Sequence, residues 1–151
     1  AQRMIDRMAQ AGANEGIDFR FEDAQPANTF DAHRLLHLAA VLGLGDAMKE
    51  RLMRAYFSEG RNIDDRETLV ELAAEVGLDA EESRAVLLSE KYATEVREDE
   101  LQARKLGVRG VPFLLIDGRY GISGAQPAEA LVQILEQASA ASIEKVGEGD
   151  G

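Results

Sequence analysis

The run Phe113-Leu114-Leu115-Ile116 constrains this chain more than any other segment. Successive residues of a strand point to opposite faces, so Phe113 and Leu115 line one face and Leu114 and Ile116 the other. Both faces are apolar. A strand of that kind belongs inside a sheet that helices cover on both sides. One partner follows at once: Asp117-Gly118 is a tight-turn signal, and Arg119-Tyr120-Gly121-Ile122 comes after it. Beyond that hairpin, only the alternating Ile17-Asp18-Phe19-Arg20-Phe21 reads as a short strand or extended link. A two-stranded hairpin alone is only marginally stable. The sheet is therefore expected to be incomplete, with an unpaired edge and exposed apolar side chains beside it. The missing strands are expected ahead of Ala1. The chain also opens in mid-helix, with Met4, Ile5 and Met8 at helical spacing and no cap before them. It reads as a piece of a longer protein, or one whose start was removed or not recorded.

Most of the remaining sequence has helical grammar. An opening helix is expected to end near Gly16, and Gln25-Pro26-Ala27-Asn28-Thr29 is a turn with Asn28 or Thr29 as N-cap. From Phe30 to Leu42, Phe30, His33, Leu36, His37, Ala40 and Val41 share one stripe, widened by Leu35 and Leu38. Helices follow from Gly45 or Asp46 to about Ser58, from Asp64 or Asp65 to Gly77, and from Asp79 through Val86 and Leu87. Another runs from about Lys91 to Leu106 and ends at Gly107. After the hairpin, Pro127 opens a helix expected to end near Ala138. Seven or so helices and very few strands are expected, with 30–106 almost wholly helical.

Composition removes several function classes. The 151 residues contain 17 Lys and Arg against 28 Asp and Glu, a net charge of −11 that repels phosphate backbones. No apolar run reaches the roughly 18 residues of a membrane span. Nothing at the start reads as a signal peptide, because Arg3, Asp6 and Arg7 interrupt the apolar residues. There is no cysteine, which removes disulfides, thiolate catalysis and cysteine-ligated metals from these residues.

Two segments carry a resemblance. Gly107-Val108-Arg109-Gly110-Val111-Pro112-Phe113-Leu114-Leu115-Ile116, a hairpin, then Gly121-Ile122-Ser123-Gly124-Ala125-Gln126-Pro127 resembles the C-terminal part of DsbA-like thioredoxin folds. Thr29-Phe30-Asp31-Ala32-His33-Arg34-Leu35-Leu36-His37-Leu38-Ala39 resembles the helical-insertion segment of the FrnE branch, which is related to the 2-hydroxychromene-2-carboxylate isomerases. The resemblance runs from about Ala1 to Ala138. It implies an α/β fold: a thioredoxin-like domain of the DsbA type with a large all-helical insertion, here without its N-terminal β-α-β part. The implied division is 1–106 for the helical insertion, 107–138 for the C-terminal ββα part, and 139–151 for an acidic flexible tail. The redox centre of such proteins is a Cys-x-x-Cys early in the thioredoxin domain, and no catalytic residue of that kind is present here.

The resemblance also implies that Pro112 is cis and faces the redox cysteines, so Gly110, Val111 and Pro112 are the candidate substrate-binding residues. The plain alternative is a strand-start proline, which needs no ladder N–H. His33 is a candidate for lining the active-site cleft. His33 and His37 sit at i and i+4, a spacing two imidazoles use to share a metal, but no third ligand lies at a matching offset, so no metal is expected. Ser123-Gly124-Ala125-Gln126-Pro127 reads as a capped helix start rather than an anion site. The acidic runs 95–100 and 144–150 read as solvated surface.

The function implied for the parent protein is thiol–disulfide oxidoreductase or isomerase of the FrnE type, acting on disulfide-containing or thiol-bearing proteins. A low-pKa cysteine, absent here, would attack the substrate disulfide. No cofactor, nucleic acid or membrane partner is expected, and a cytoplasmic location is favoured. Two rival readings are a glutathione-dependent isomerase of a small aromatic substrate and a non-enzymatic helical binding module. Disulfide exchange needs a thiolate. The 151-residue polypeptide alone is therefore expected to leave insulin disulfides intact in a dithiothreitol-coupled turbidity assay, and turnover above buffer would overturn the cysteine argument.

Overall fold

Glycines and aspartates punctuate the chain. The computed structural model describes residues 2–147, without the side chains of 141–147. Its elements are α1 (Gln2–Asn14), α2 (Phe30–Val41), α3 (Gly45–Phe57), α4 (Arg66–Glu75), α5 (Ala80–Leu88), α6 (Ala93–Lys105), β1 (Phe113–Ile116), β2 (Tyr120–Ser123) and α7 (Ala128–Gly147). Two compact units result, Ala1–Asp99 and Glu100–Gly151. The helix starts at α4 and α5 are capped by side chains. Asp65 accepts from the Thr68 N–H at 2.8 Å, and Asp79 accepts from the Glu82 N–H at 2.7 Å. At α2, Thr29 holds the cap position without a side-chain bond, and Asn28 Oδ1 instead accepts from the Phe30 N–H at 3.0 Å.

The first unit is a helical cluster. Leu35, Leu38 and Ala39 of α2, Met48, Leu52 and Ala55 of α3, Leu69, Leu72 and Ala73 of α4, and Val86 and Leu87 of α5 form one buried core. Each large aliphatic side chain removed from water contributes about 1.5–3 kcal/mol. The phase of α2 differs from the stripe the sequence suggested. Val41 is 73% exposed and His33 and Ala40 are exposed, while Ala32, Arg34, Leu35 and Leu38 face inward. The stripe was misplaced because two histidines were counted as inward-facing and an arginine as outward-facing.

Arg34 is the reason for that phase. Its side chain is only 3% exposed. Nε donates to the Lys91 carbonyl at 2.9 Å, one terminal nitrogen to Asp31 Oδ1 at 2.8 Å, and the other to the carbonyls of Val86 and Ser89. Val86 and Ser89 lie at the end of α5; the Val86 carbonyl also accepts from the Ser89 N–H at 3.2 Å and hydroxyl at 3.0 Å. A cation also complements the negative end of the helix dipole. Asp31 completes the set by accepting from Arg66 Nε at 2.8 Å. Burial alone would push the Asp31 carboxyl up, but the hydrogen bonds and charges of Arg34 and Arg66 outweigh it and hold Asp31 below the usual aspartate range. Arginine also fastens the other side of the unit. Arg51 of α3 forks onto Glu59 at 2.8 and 3.1 Å and reaches Glu75, while Arg61 bonds Glu71 and Glu75 of α4.

Residues 17–21 form no strand. They have no ladder partner, a turn begins at Phe21, and the alternation instead brings two rings together: Phe19 and Phe21 stack at 5.0 Å and both meet Phe57 edge-on. The Arg20 N–H donates to the Phe57 carbonyl at 2.7 Å, tying this link to the end of α3. In the second unit β1 and β2 pair antiparallel, Phe113 opposite Ser123 and Ile116 opposite Tyr120. Asp117 and Gly118 both take positive φ, 52° and 65°, the requirement of a type I′ turn. Among the described residues no third strand pairs with either edge, and Leu114 and Leu115 stand 45% and 40% exposed. α7 continues past Ala138 to Gly147, so residues 139–147, expected as flexible tail, are helical; alanines at 138, 140 and 141 are strong helix formers. Residues 148–151 of that expected tail lie outside the described residues.

Removing the Arg34 fork leaves Asp31 with Arg66 alone and takes the side-chain donor from the Ser89 and Lys91 carbonyls. Arg34→Met is expected to lower stability by about 1–3 kcal/mol, read by urea unfolding. The pH dependence has a definite sign. Because the folded Asp31 pKa lies below its ordinary 3.8, its contribution is present above that value and is lost as pH falls through the folded value. Asp31→Asn is expected to flatten that part of the acid-unfolding curve; an unchanged acid limb would refute the coupling.

Candidate functional site: the loop before β1

The loop is set by how α6 ends and how β1 begins. Gly107 terminates the helix, its N–H donating to the Arg104 carbonyl at 3.1 Å while the Val108 N–H donates to Ala103 at 3.0 Å. The chain then crosses Arg109 and Gly110 to Val111 and Pro112, whose connecting peptide bond is cis. Pro112 has no N–H, so the ladder starts at its carbonyl, which accepts from the Gly124 N–H at 2.9 Å. Val111 is 89% exposed. Among the described residues no hydrogen bond engages the backbone of Gly110 or Val111. The result is a short exposed backbone edge, held from below by a strand and offered to whatever lies above it. Extended polypeptides recognise such edges by adding themselves as a strand.

Gly110, Val111 and Pro112 thus sit together on one loop of the second unit. His33 belongs to the first unit. It is exposed on α2, at the rim of an apolar cavity of about 450 Å³ lined by Ala32, Leu36, Leu52 and Ile63. His37, one turn on, is engaged: its Nε2 lies 2.9 Å from Asp99 Oδ2, and its ring stacks on Tyr92 at a centroid distance of 6.1 Å. Among the described residues no three His, Asp or Glu side chains converge as metal ligands. Tyr92 takes a positive φ of 65°, and α6 therefore starts at Ala93 rather than at Lys91. The residue sequence reading missed is Arg34. Its signal was an arginine inside an apolar run, three residues after an aspartate.

The DsbA-like thioredoxin domain family matches residues 1–136. The chain belongs to that family. Its fold is accordingly the DsbA-like thioredoxin fold in a helix-rich form with a small two-stranded sheet. A solved DsbA-like relative, the probable DsbA oxidoreductase of Streptomyces coelicolor, superposes with a TM-score of 0.87 at 48% identity, over 92% of this chain and 60% of that one. The cytosolic disulfide reductase DsbM of Pseudomonas aeruginosa superposes with a TM-score of 0.59 at 30% identity, over 78% of this chain and 62% of its own. The uncharacterised protein YwbO of Bacillus subtilis (strain 168) is 29% identical over 103 residues, which are 67% of this chain and 52% of that protein. The chain thus spans between 52% and 62% of the length of these relatives.

Gly124 fixes the loop from the far strand. Its φ is +83°, and a Cβ there would meet nothing within 4 Å, so strain rather than crowding is what a side chain would add. Gly124→Ala is expected to cost about 1–2 kcal/mol and to speed hydrogen exchange at the residue 124 amide. Unchanged exchange at that amide would show that the Pro112 carbonyl is not its anchor.

Proposed function

We propose that these residues form the helical insertion (1–106) and the substrate-contacting ββα part (107–138) of a thiol–disulfide oxidoreductase or isomerase of the FrnE type. The observation that carries the reading is the exposed, unbonded backbone at Gly110 and Val111, in a chain 48% identical to a probable DsbA oxidoreductase. The chemistry asks for two cysteines that these residues do not contain. In the complete protein one thiolate attacks a substrate disulfide, forming a mixed disulfide and releasing the substrate's other sulfur as thiolate. A second thiolate then resolves the mixed disulfide, leaving the enzyme oxidised and the substrate reduced; the reverse sequence oxidises a dithiol. Neither direction needs a cofactor.

The role of this chain is positional. A substrate segment lying along residues 110–112 accepts from the Val111 N–H and donates to its carbonyl, which holds the substrate sulfur still while it is attacked. Substrates of this reading are disulfide-containing or thiol-bearing proteins. A net charge of −11 argues against nucleic acid, and no helix among the described residues is long and apolar enough to cross a membrane. A cytoplasmic site of action is supported by the resemblance to a cytosolic disulfide reductase.

The test uses the complete protein, with its cysteines, trapped as a mixed disulfide with a cysteine-bearing peptide. The Val111 amide is expected to exchange more slowly in the trapped species than in the free protein. Val111→Ala, which keeps the backbone, is expected to keep peptide-disulfide turnover within about twofold, less than one hydrogen bond is worth. An equally exposed amide in both states would overturn the strand-addition role.

A further inference from the structure

A cavity lies between α2 and α3, within the first unit. Its volume, about 450 Å³, lies within the range of small-molecule sites. Its walls are aliphatic: Ala32 and Leu36 from α2, Leu52 from α3, and Ile63 from the loop that follows. Two aromatic residues also border it, but their rings are already engaged. Tyr56 and Phe57 meet edge-on at 4.9 Å, and Phe57 also meets Phe19 and Phe21. The walls nearest the cavity's centre are therefore left to aliphatic side chains, which suit an aliphatic guest.

The cavity's lining contains one charged side chain, Lys49, and one imidazole, His33. Lys49 borders this cavity and also both neighbouring concavities, and His33 borders two of the three. Lys49 has little structural work. Its only ion pair among the described residues is with fully exposed Asp46 at 3.7 Å, and the lysine side chain is itself 58% exposed. Such a pair contributes about 0–1 kcal/mol. The nearby carboxylate of Asp99 is taken by His37, and Arg54 is paired with Glu50. The rim therefore offers one ammonium and one imidazole, without the planar fork that favours a phosphate.

We propose that this cavity binds one medium-chain aliphatic carboxylate, its chain against Leu36, Leu52 and Ile63 and its carboxylate at Lys49 beside His33. The assignment is independent of the redox reading, because it concerns residues of the first unit alone. A long stem lets Lys49 follow the headgroup while its methylenes cover the chain.

The probe is decanoate below its micellar range, titrated calorimetrically into the 151-residue chain, with decanol as the uncharged comparison. Decanoate is expected to bind with one-to-one stoichiometry and to raise the unfolding temperature in a concentration-dependent way. Lys49→Met is expected to weaken decanoate at least about tenfold, the worth of a charge-assisted hydrogen bond, and to leave decanol unchanged. Leu36→Trp, which fills the cavity, is expected to abolish both; if circular dichroism shows that variant unfolded, the Lys49 comparison decides. The proposal is overturned by non-saturable decanoate uptake, by a Lys49→Met variant that binds decanoate as the parent does, or by tighter binding of 2-naphthoate or of an apolar peptide.

Discussion

A guanidinium taken out of water must find an acceptor for each of its nitrogens, because an unpaired one costs more than a made bond returns. Arg34 solves this by reaching the Val86, Ser89 and Lys91 carbonyls at the end of α5 while Asp31 neutralises its charge. The solution fixes more than one contact. It sets the rotation of α2, which decides that Leu35 and Leu38 go into the core and that His33 stays at the cavity rim. It also fixes where α5 stops, and the sharp turn through Tyr92 begins from there. Replacing the whole set by apolar residues would give a comparable stability. It would not give the same rotation, since dispersion has no direction and the carbonyl fork does.

How much of this was legible depends on what each element's signal is made of. The caps at Asp65 and Asp79 were readable because a carboxylate just ahead of a helical run has one favoured use. The type I′ turn at Asp117-Gly118 was readable for the same reason: few residue pairs tolerate two positive φ values. The α2 stripe was not, because hydropathy assigns arginine to solvent and cannot see three carbonyls that lie 52 to 57 residues ahead. The 17–21 segment shows the same limit. Alternation marks which side chains share a side, but a strand needs a neighbour, and here the neighbour is an aromatic cluster. The helical stretch beyond Ala138 was lost to a compositional impression of acidity that the alanines outweigh.

The candidate site divides in the same way. The Gly-Val-Pro-Phe segment was legible as a resemblance, and the structure adds the exposed Val111 backbone and the Gly124 anchor that no sequence pattern carried. The apolar cavity behind His33 was illegible, since its walls come from α2, α3 and the loop at Ile63 and only packing assembles them. Lys49 gave no signal at all in one dimension. A lone lysine on an amphipathic helix reads as solvated surface until the cavity beside it is seen.

The hairpin has a colloidal consequence. Among the described residues β1 and β2 pair only with each other and Leu114 and Leu115 stand half-exposed, so the hairpin offers these residues as a template for an added strand. Opposing this is a net charge of −11 carried on 151 residues, which keeps like molecules apart over a distance set by ionic strength. At 0.01 M salt that distance is about 30 Å and at 0.15 M about 8 Å. In the 151-residue polypeptide it is charge, not the shape of the sheet, that opposes such pairing, and added salt weakens that opposition without altering the hairpin.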